Sequence, residues 1–168
     1  MEIGYCGTKS ALAFEINGKR KEYATISETV VAVASGIVEC GVIPFEDEFG
    51  GTLSESLVAI QKERVFITGR ACVDNKSFVM LSPNIKFEGK TAIVMMELKE
   101  LNILSNVLNV LNTQNVNIQK VDTLKHESFI KCFAMIQFSE FNGRSELMQI
   151  MDMLTKNVGS ARFVGIFD

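Results

Sequence analysis

Residues 91–123, TAIVMMELKELNILSNVLNVLNTQNVNIQKVDT, change hydrophobic rhythm twice. Thr91–Glu97 is a continuous apolar run and reads as a buried strand. Ile103, Leu104, Val107, Leu108 and Leu111 then recur at helical spacing, which predicts a helix over Asn102–Leu111. Asn117–Thr123 returns to a strand pattern. Downstream, a polar turn at Leu124–Ser128 precedes a strand at Phe129–Phe138. Ser145–Leu154 is helical through Leu147, Ile150, Met151 and Leu154, and Ala161–Ile166 closes the set as a strand.

That order is βαββαβ, the split-βαβ or ferredoxin-like arrangement, in which both helices cover one face of a four-stranded antiparallel sheet. The upstream half has a different rhythm. Strands are expected at Met1–Gly4, Glu22–Thr25, Gly41–Phe45, Val65–Cys72 and Ser77–Leu81. Between them, Gly7-Thr8-Lys9-Ser10 opens a helix through Ala11–Ile16, with Thr8 or Ser10 as its N-cap and Asn17-Gly18 as its stop. A second helix runs from Ser27 through Val30, Val31, Val33 and Ala34 to Ser35-Gly36, and a third covers Leu53–Gln61. Alternating strand and helix implies a largely parallel sheet. Ser82-Pro83-Asn84 and the polar Lys86–Lys90 read as a linker. The expected division is therefore a small, mainly parallel α/β domain over 1–82, a linker over 83–90 and the βαββαβ domain over 91–168.

Composition narrows the function classes. The 168 residues are 47% hydrophobic and 22% charged, enough for two small cores. Net charge is −3, and the longest basic run is Lys19-Arg20-Lys21, so neither nucleic acid nor an anionic membrane is expected as a partner. The N-terminal MEIGYCG lacks a basic region followed by an apolar one, and no apolar run approaches the roughly 18 residues of a spanning helix. A cytoplasmic location is the expectation. Cys6, Cys40, Cys72 and Cys132 form no C-x-x-C pair and His126 is the one histidine, so no metal or cofactor is called. His126 reads as a surface residue, and Met148, Met151 and Met153 read as core packing.

Three segments, Gly4–Phe14 (GYCGTKSALAF), Ser27–Gly41 (SETVVAVASGIVECG) and Ile43–Leu57 (IPFEDEFGGTLSESL), resemble the first catalytic lobe of prephenate dehydratase. That family carries G-P-x-G-T-[FY]-[ST]-x-x-A and P-I-E-N-S-x-x-G motifs. The downstream half resembles the family's ACT domain, which binds phenylalanine as a feedback inhibitor. Asn102-Ile103-Leu104 stands where G-A-L is usual, and Asn117–Lys125 (NIQKVDTLK) runs without gaps against N-L-T-K-I-E-S-R-P. The resemblance implies a lobe of periplasmic-binding-protein type followed by an ACT domain, with the second catalytic lobe deleted between Val65–Cys72 and the returning strand at Phe78.

The departures bear on chemistry. By register on Phe78, the catalytic threonine of the family's T-R-F motif is replaced by Lys76 and the arginine by Ser77. Glu46 is kept, but the asparagine and serine after it become Asp47 and Glu48, and Lys9 replaces the aromatic residue between Thr8 and Ser10. Carboxylates near a dicarboxylate substrate repel it by roughly 1 to 4 kcal/mol per close pair. Pairing of Lys9 with Glu48, or of Lys76 with Asp47, would neutralise the cleft. Asp47 and Glu48 otherwise read equally as solvated acids of a Gly50-Gly51 turn.

In the ACT-like half, the resemblance places an amino-acid site at the interface of two side-by-side domains, at Leu101, Asn102, Ile103 and Leu104 and at Val121, Asp122 and Thr123. Asn102 is expected to supply the left-handed backbone of the usual glycine. Leu124 and Lys125 replace the family's arginine and proline. An ACT fold kept as a dimerisation surface alone is the other reading of this half. Three functions follow: a non-catalytic, dimeric, amino-acid-sensing regulator linked to phenylalanine metabolism, which is the favoured one; a prephenate dehydratase completed by another subunit; or a structural interaction module.

Overall fold

A computed structural model describes residues 1–114, 116–125 and 128–168. His126 lies outside the described residues, as does part of the turn expected at Leu124–Ser128. The chain divides into two compact units, Met1–Lys86 and Phe87–Asp168.

In the first unit, β1 (Glu2–Cys6), β2 (Lys19–Tyr23), β3 (Cys40–Glu46), β4 (Phe66–Val73) and β5 (Lys76–Ser82) lie in the order β2-β1-β3-β5-β4. β1 pairs in parallel with both β2 and β3. β5 is antiparallel to β3 and to β4, so the expected parallel sheet holds for only part of the unit. The cause is local. Asp74 and Asn75, at φ 49° and 61°, form a two-residue turn whose left-handed backbone joins β4 and β5 as a hairpin. The hairpin slips β5 between β3 and β4.

Three helices follow the strands: α1 (Thr8–Leu12), α2 (Ile26–Ala34) and α3 (Ser54–Lys62). Neither Thr8 nor Ser10 caps α1; Gly7 is its N-cap at φ 81°, and the buried Ser10 hydroxyl donates to the Cys6 carbonyl instead. The helix stops at Leu12, earlier than its pattern suggests. Ala13, Phe14 and Ile16 instead pack onto Ile3, Cys40, Val42 and Phe78. α2 is capped reciprocally, with Thr25 Oγ1 accepting from the Glu28 N–H at 3.1 Å and Glu28 Oε2 from the Ala24 N–H at 3.1 Å. It lies so close to β3 that a Cβ on Gly41 would stand 2.6 Å from Val33 Cγ2.

The second unit runs β6 (Thr91–Leu98), α4 (Ile103–Asn112), β7 (Val116–Lys125), β8 (Ile130–Phe138), α5 (Arg144–Val158) and β9 (Ala161–Phe167). Its strands lie in the order β9-β6-β8-β7, and each neighbouring pair is antiparallel. One core joins sheet and helices: Val94, Met96, Ala134 and Ile136 meet Val107 and Leu111 of α4 and Leu147, Ile150 and Leu154 of α5. Both helices therefore cover the same face. α5 continues past Leu154 to bury Val158 and ends at Gly159, whose φ of 83° suits glycine and whose N–H donates to the Thr155 carbonyl at 2.8 Å.

Candidate functional site

Strand order reverses between β1 and β3, because α1 carries the chain to β2 and α2 brings it back. Ligands of open α/β sheets collect outside the carboxyl ends of the strands at such a point. The loop from β3 to α3 stands there. Asp47 builds that loop from within: its Oδ1 accepts from the Phe49 N–H at 2.9 Å and the Gly51 N–H at 2.8 Å, while its own N–H donates to the Gly51 carbonyl at 2.9 Å. This is the side-chain-closed turn that aspartate favours. Glu48 is exposed, and Phe49 stands at the tip with 89% exposure.

Glu46 behaves differently. It is 5% exposed, and its carboxylate is ion-paired with Arg70, a β4 residue absent from the sequence-based site. Arg70 Nε also donates to Ser77 Oγ at 2.9 Å. The geometry follows from register. Glu46 is opposite Ser77 on β5, and Arg70 is opposite Val79, two residues along the same strand, so all three lie on one face. The Asp74-Asn75 hairpin, which fixes that register, was the one signal in the sequence that could have found Arg70.

The remaining expected site residues separate. Lys9 Nζ lies 2.8 Å from Asp74 Oδ2, so the cation of α1 meets the β4–β5 turn and not Glu48. The hydrogen bond from Lys9, and then its charge, hold the Asp74 carboxyl below its usual range. Lys76 is half-buried opposite Val73, and Asp47 is occupied by its own loop, so the two do not pair. Thr8 is exposed and Ser10 buried. Phe78 is a core residue, packed with Ile3, Cys40 and Val42 on the face opposite Ser77. Apart from these, a groove of about 300 Å³ between α2 and α3 is lined by Ser27, Ser54, Glu55, Val58, Ala59 and Lys62.

Three of the four thiols lie where the fold favours the protonated form. Burial raises the thiol pKa values of Cys6 and Cys40, and it pushes Cys132 up to about 11 with help from the Asp122 charge. Thiolates at those positions are therefore disfavoured. Among the described residues, no three His, Cys, Asp or Glu side chains are grouped to hold a metal ion, and no helix is long and apolar enough to cross a membrane.

In the second unit the two expected ligand stretches share one end of the sheet. β6 and β7 both run antiparallel to β8, and Leu98 and Lys125 both stand opposite Ile130. Leu101 and Asn102 are exposed there, while Ile103 and Leu104 pack onto the core. Asn102 has φ −60° and ψ −25°, a right-handed conformation, so it does not play the part of a left-handed glycine. The helix begins one residue on, and Asn102 already follows its path. Val121 packs inward, Asp122 lies 3.6 Å from Lys120 and Thr123 is exposed.

No family profile and no curated protein sequence matches this chain. Solved structures do. A structure described as GqqA, a novel type of quorum quenching acylase, is 17% identical with a TM-score of 0.81, aligned over 99% of this chain and 94% of that one. Prephenate dehydratase from Streptococcus mutans is 14% identical with a TM-score of 0.82, over 99% and 97% of the two chains. The prephenate dehydratase of Arthrobacter aurescens, in complex with L-Phe, is 11% identical with a TM-score of 0.82, over 99% of this chain and 89% of that one. The chain thus has the mixed α/β fold of prephenate dehydratase structures.

Proposed function

We propose that this chain is a non-catalytic relative of prephenate dehydratase: a lobe-one domain joined to a ferredoxin-like ACT domain, dimeric through the latter, which senses an amino acid and is linked to aromatic amino-acid metabolism. One observation carries the loss of chemistry. The polar groups at the strand ends of the first unit are committed to one another, Glu46 and Ser77 to Arg70, Asp47 to its own loop and Lys9 to Asp74. A dehydration site needs donors and positive potential left over for substrate and for the departing hydroxide. The sensing half draws support from the shared sheet end of Leu101–Leu104 and Val121–Thr123, and from the likeness to a structure solved with L-Phe. A signal would then arise from different affinities of the amino acid for two states.

A second reading, dehydratase activity completed by another subunit, is favoured by Arg70 itself, which brings a guanidinium to the place where the family's arginine has become Ser77. Two measurements on one purified sample decide. A thermal-shift screen over the proteinogenic amino acids and aromatic-pathway acids is expected to raise Tm for at least one amino acid. Incubation with prephenate is expected to yield no phenylpyruvate absorbance. A Tm indifferent to every amino acid removes the sensing role, and steady turnover of prephenate replaces the proposal with the second reading.

A further inference from the structure

The chain contains two Asn-Gly steps, Asn17-Gly18 and Asn142-Gly143. Asparagine is a thermolabile residue because the next backbone nitrogen can attack its side-chain amide, and a following glycine leaves that nitrogen unshielded and the backbone free to turn. By sequence the two steps are equivalent, and both asparagines are exposed. The fold separates them. Gly18 is pressed against the start of the chain: a Cβ there would stand 2.7 Å from the Met1 carbonyl oxygen and 3.1 Å from Ile3 Cδ1, and the neighbouring Lys19 N–H donates to that same carbonyl at 3.0 Å. Gly143 has φ 90°, and a Cβ there would meet nothing within 4 Å. Among the described residues, neither the side-chain amide of Asn142 nor the Gly143 N–H has a hydrogen-bond partner.

We infer that Asn142 is a site of spontaneous covalent modification, converted in water to aspartate and isoaspartate, while the packing of Gly18 protects Asn17. The Gly143 nitrogen bonds to Asn142 Cγ, the Cγ–N bond of the side chain breaks, and ammonia leaves carrying the proton of the Gly143 N–H. Water then opens the cyclic imide. Cleavage at Cγ gives aspartate, and cleavage at the main-chain carbonyl gives isoaspartate, whose backbone runs through Cγ; either way the Gly143 N–H is restored and a carboxyl group replaces the amide. Ring closure needs the Asn142 side chain and the Gly143 nitrogen to turn toward each other, which the open turn allows and the clamped Gly18 resists. The change bears on α5. The Asn142 N–H donates to Glu146 Oε2 at 2.9 Å, and Gly143, the N-cap, has no side chain to offer the helix. Isoaspartate adds a methylene to the main chain at that point, which moves the N–H off Glu146 and sets a second carboxylate beside it. The first turn of α5 is loosened just before the residues that cover the sheet, Leu147, Ile150 and Leu154.

The test uses the full chain, held in mildly alkaline buffer with and without urea and sampled over time by peptide mapping. Trypsin releases residues 10–19 and residues 132–144, each peptide with a single asparagine, Asn17 in the first and Asn142 in the second. In the folded chain the 132–144 peptide should gain the mass difference between NH2 and OH several-fold faster than the 10–19 peptide, and in urea the two rates should converge, because the fold alone tells the steps apart. Equal rates in the folded chain, or Asn17 ahead of Asn142, overturn the inference, and so does a difference that persists unchanged in urea, which would belong to local sequence. Ageing should also lower the Tm of wild type by a few degrees. Asn142→Gln, whose longer side chain would have to close a larger ring, should keep its Tm under the same treatment. Modified wild type with an unchanged Tm, or an Asn142→Gln chain that loses as much, overturns the effect on α5.

Discussion

Replacing Arg70 with Met should destabilise the first unit more than substitution of any exposed charge there. The side chain of Glu46 is 5% exposed and that of Arg70 31% exposed. Removing the cation strands an anion that is almost fully out of water, and Ser77 loses the Nε donor at the same time. Breaking a fully buried pair in this way costs about 3–5 kcal/mol, whereas exposed pairs are worth about 0–1 kcal/mol. With one partner about a third exposed, and with solvent able to follow a shorter side chain in, about 2–3 kcal/mol is expected. Adding Glu46→Leu to the same chain removes the stranded charge, so the double variant should recover most of the loss. Urea unfolding followed by tyrosine fluorescence isolates the right unit, because the two tyrosines, Tyr5 and Tyr23, both lie in it and the chain has no tryptophan. An unfolding free energy for Arg70→Met within about 0.5 kcal/mol of wild type, or a double variant no better than the single one, would refute the reasoning.

Two further perturbations probe separate parts of the molecule. Asp47→Ala removes the acceptor of two loop N–H groups and should cost about 1–2 kcal/mol, while Asp47→Asn, which keeps an acceptor oxygen, should cost less; equal losses in urea would mean that the loop does not depend on that oxygen. The Cys132 thiol titrates near 11 in the fold and near 9.0 when unfolded, so the folded state holds the proton that the unfolded state releases. Stability contributed by this group is present below pH 9 and falls between about pH 9 and 11, by up to about 2–3 kcal/mol. Cys132→Ala should flatten most of that slope, and a slope unchanged by the substitution would assign the alkaline loss to other groups.

The second unit was legible because its rhythm changes are strong. The apolar run of β6 and the leucine spacing of α4 placed those elements to within a residue or so. α5 outran its expected end because Thr155, Lys156 and Asn157 are exposed and hide the last turn, although Val158 beyond them is buried. In the first unit, periodicity could find strands but not their direction. Direction was set by Asp74-Asn75, two residues whose left-handed pair makes β4 and β5 a hairpin. β2 was placed too late because its Lys19-Arg20-Lys21 run looks like a loop; it is an edge strand, where charged residues discourage further pairing.

The same limit governs the candidate site. The resemblance sets Ser77 where the family motif carries arginine and offers no cation at that position. In space the hairpin register sets Arg70, one strand over, beside Ser77 and across from Glu46. What separates this arrangement from a working anion site is therefore the balance of charge around the guanidinium. Glu46 already supplies the counterion from a position with little access to water. An incoming carboxylate would have to compete with a partner that pays no entropy of association, and it would leave Glu46 buried and unpaired if it succeeded. The proposed non-catalytic reading thus rests on a pairing that only the fold reveals, that of Arg70 with Glu46.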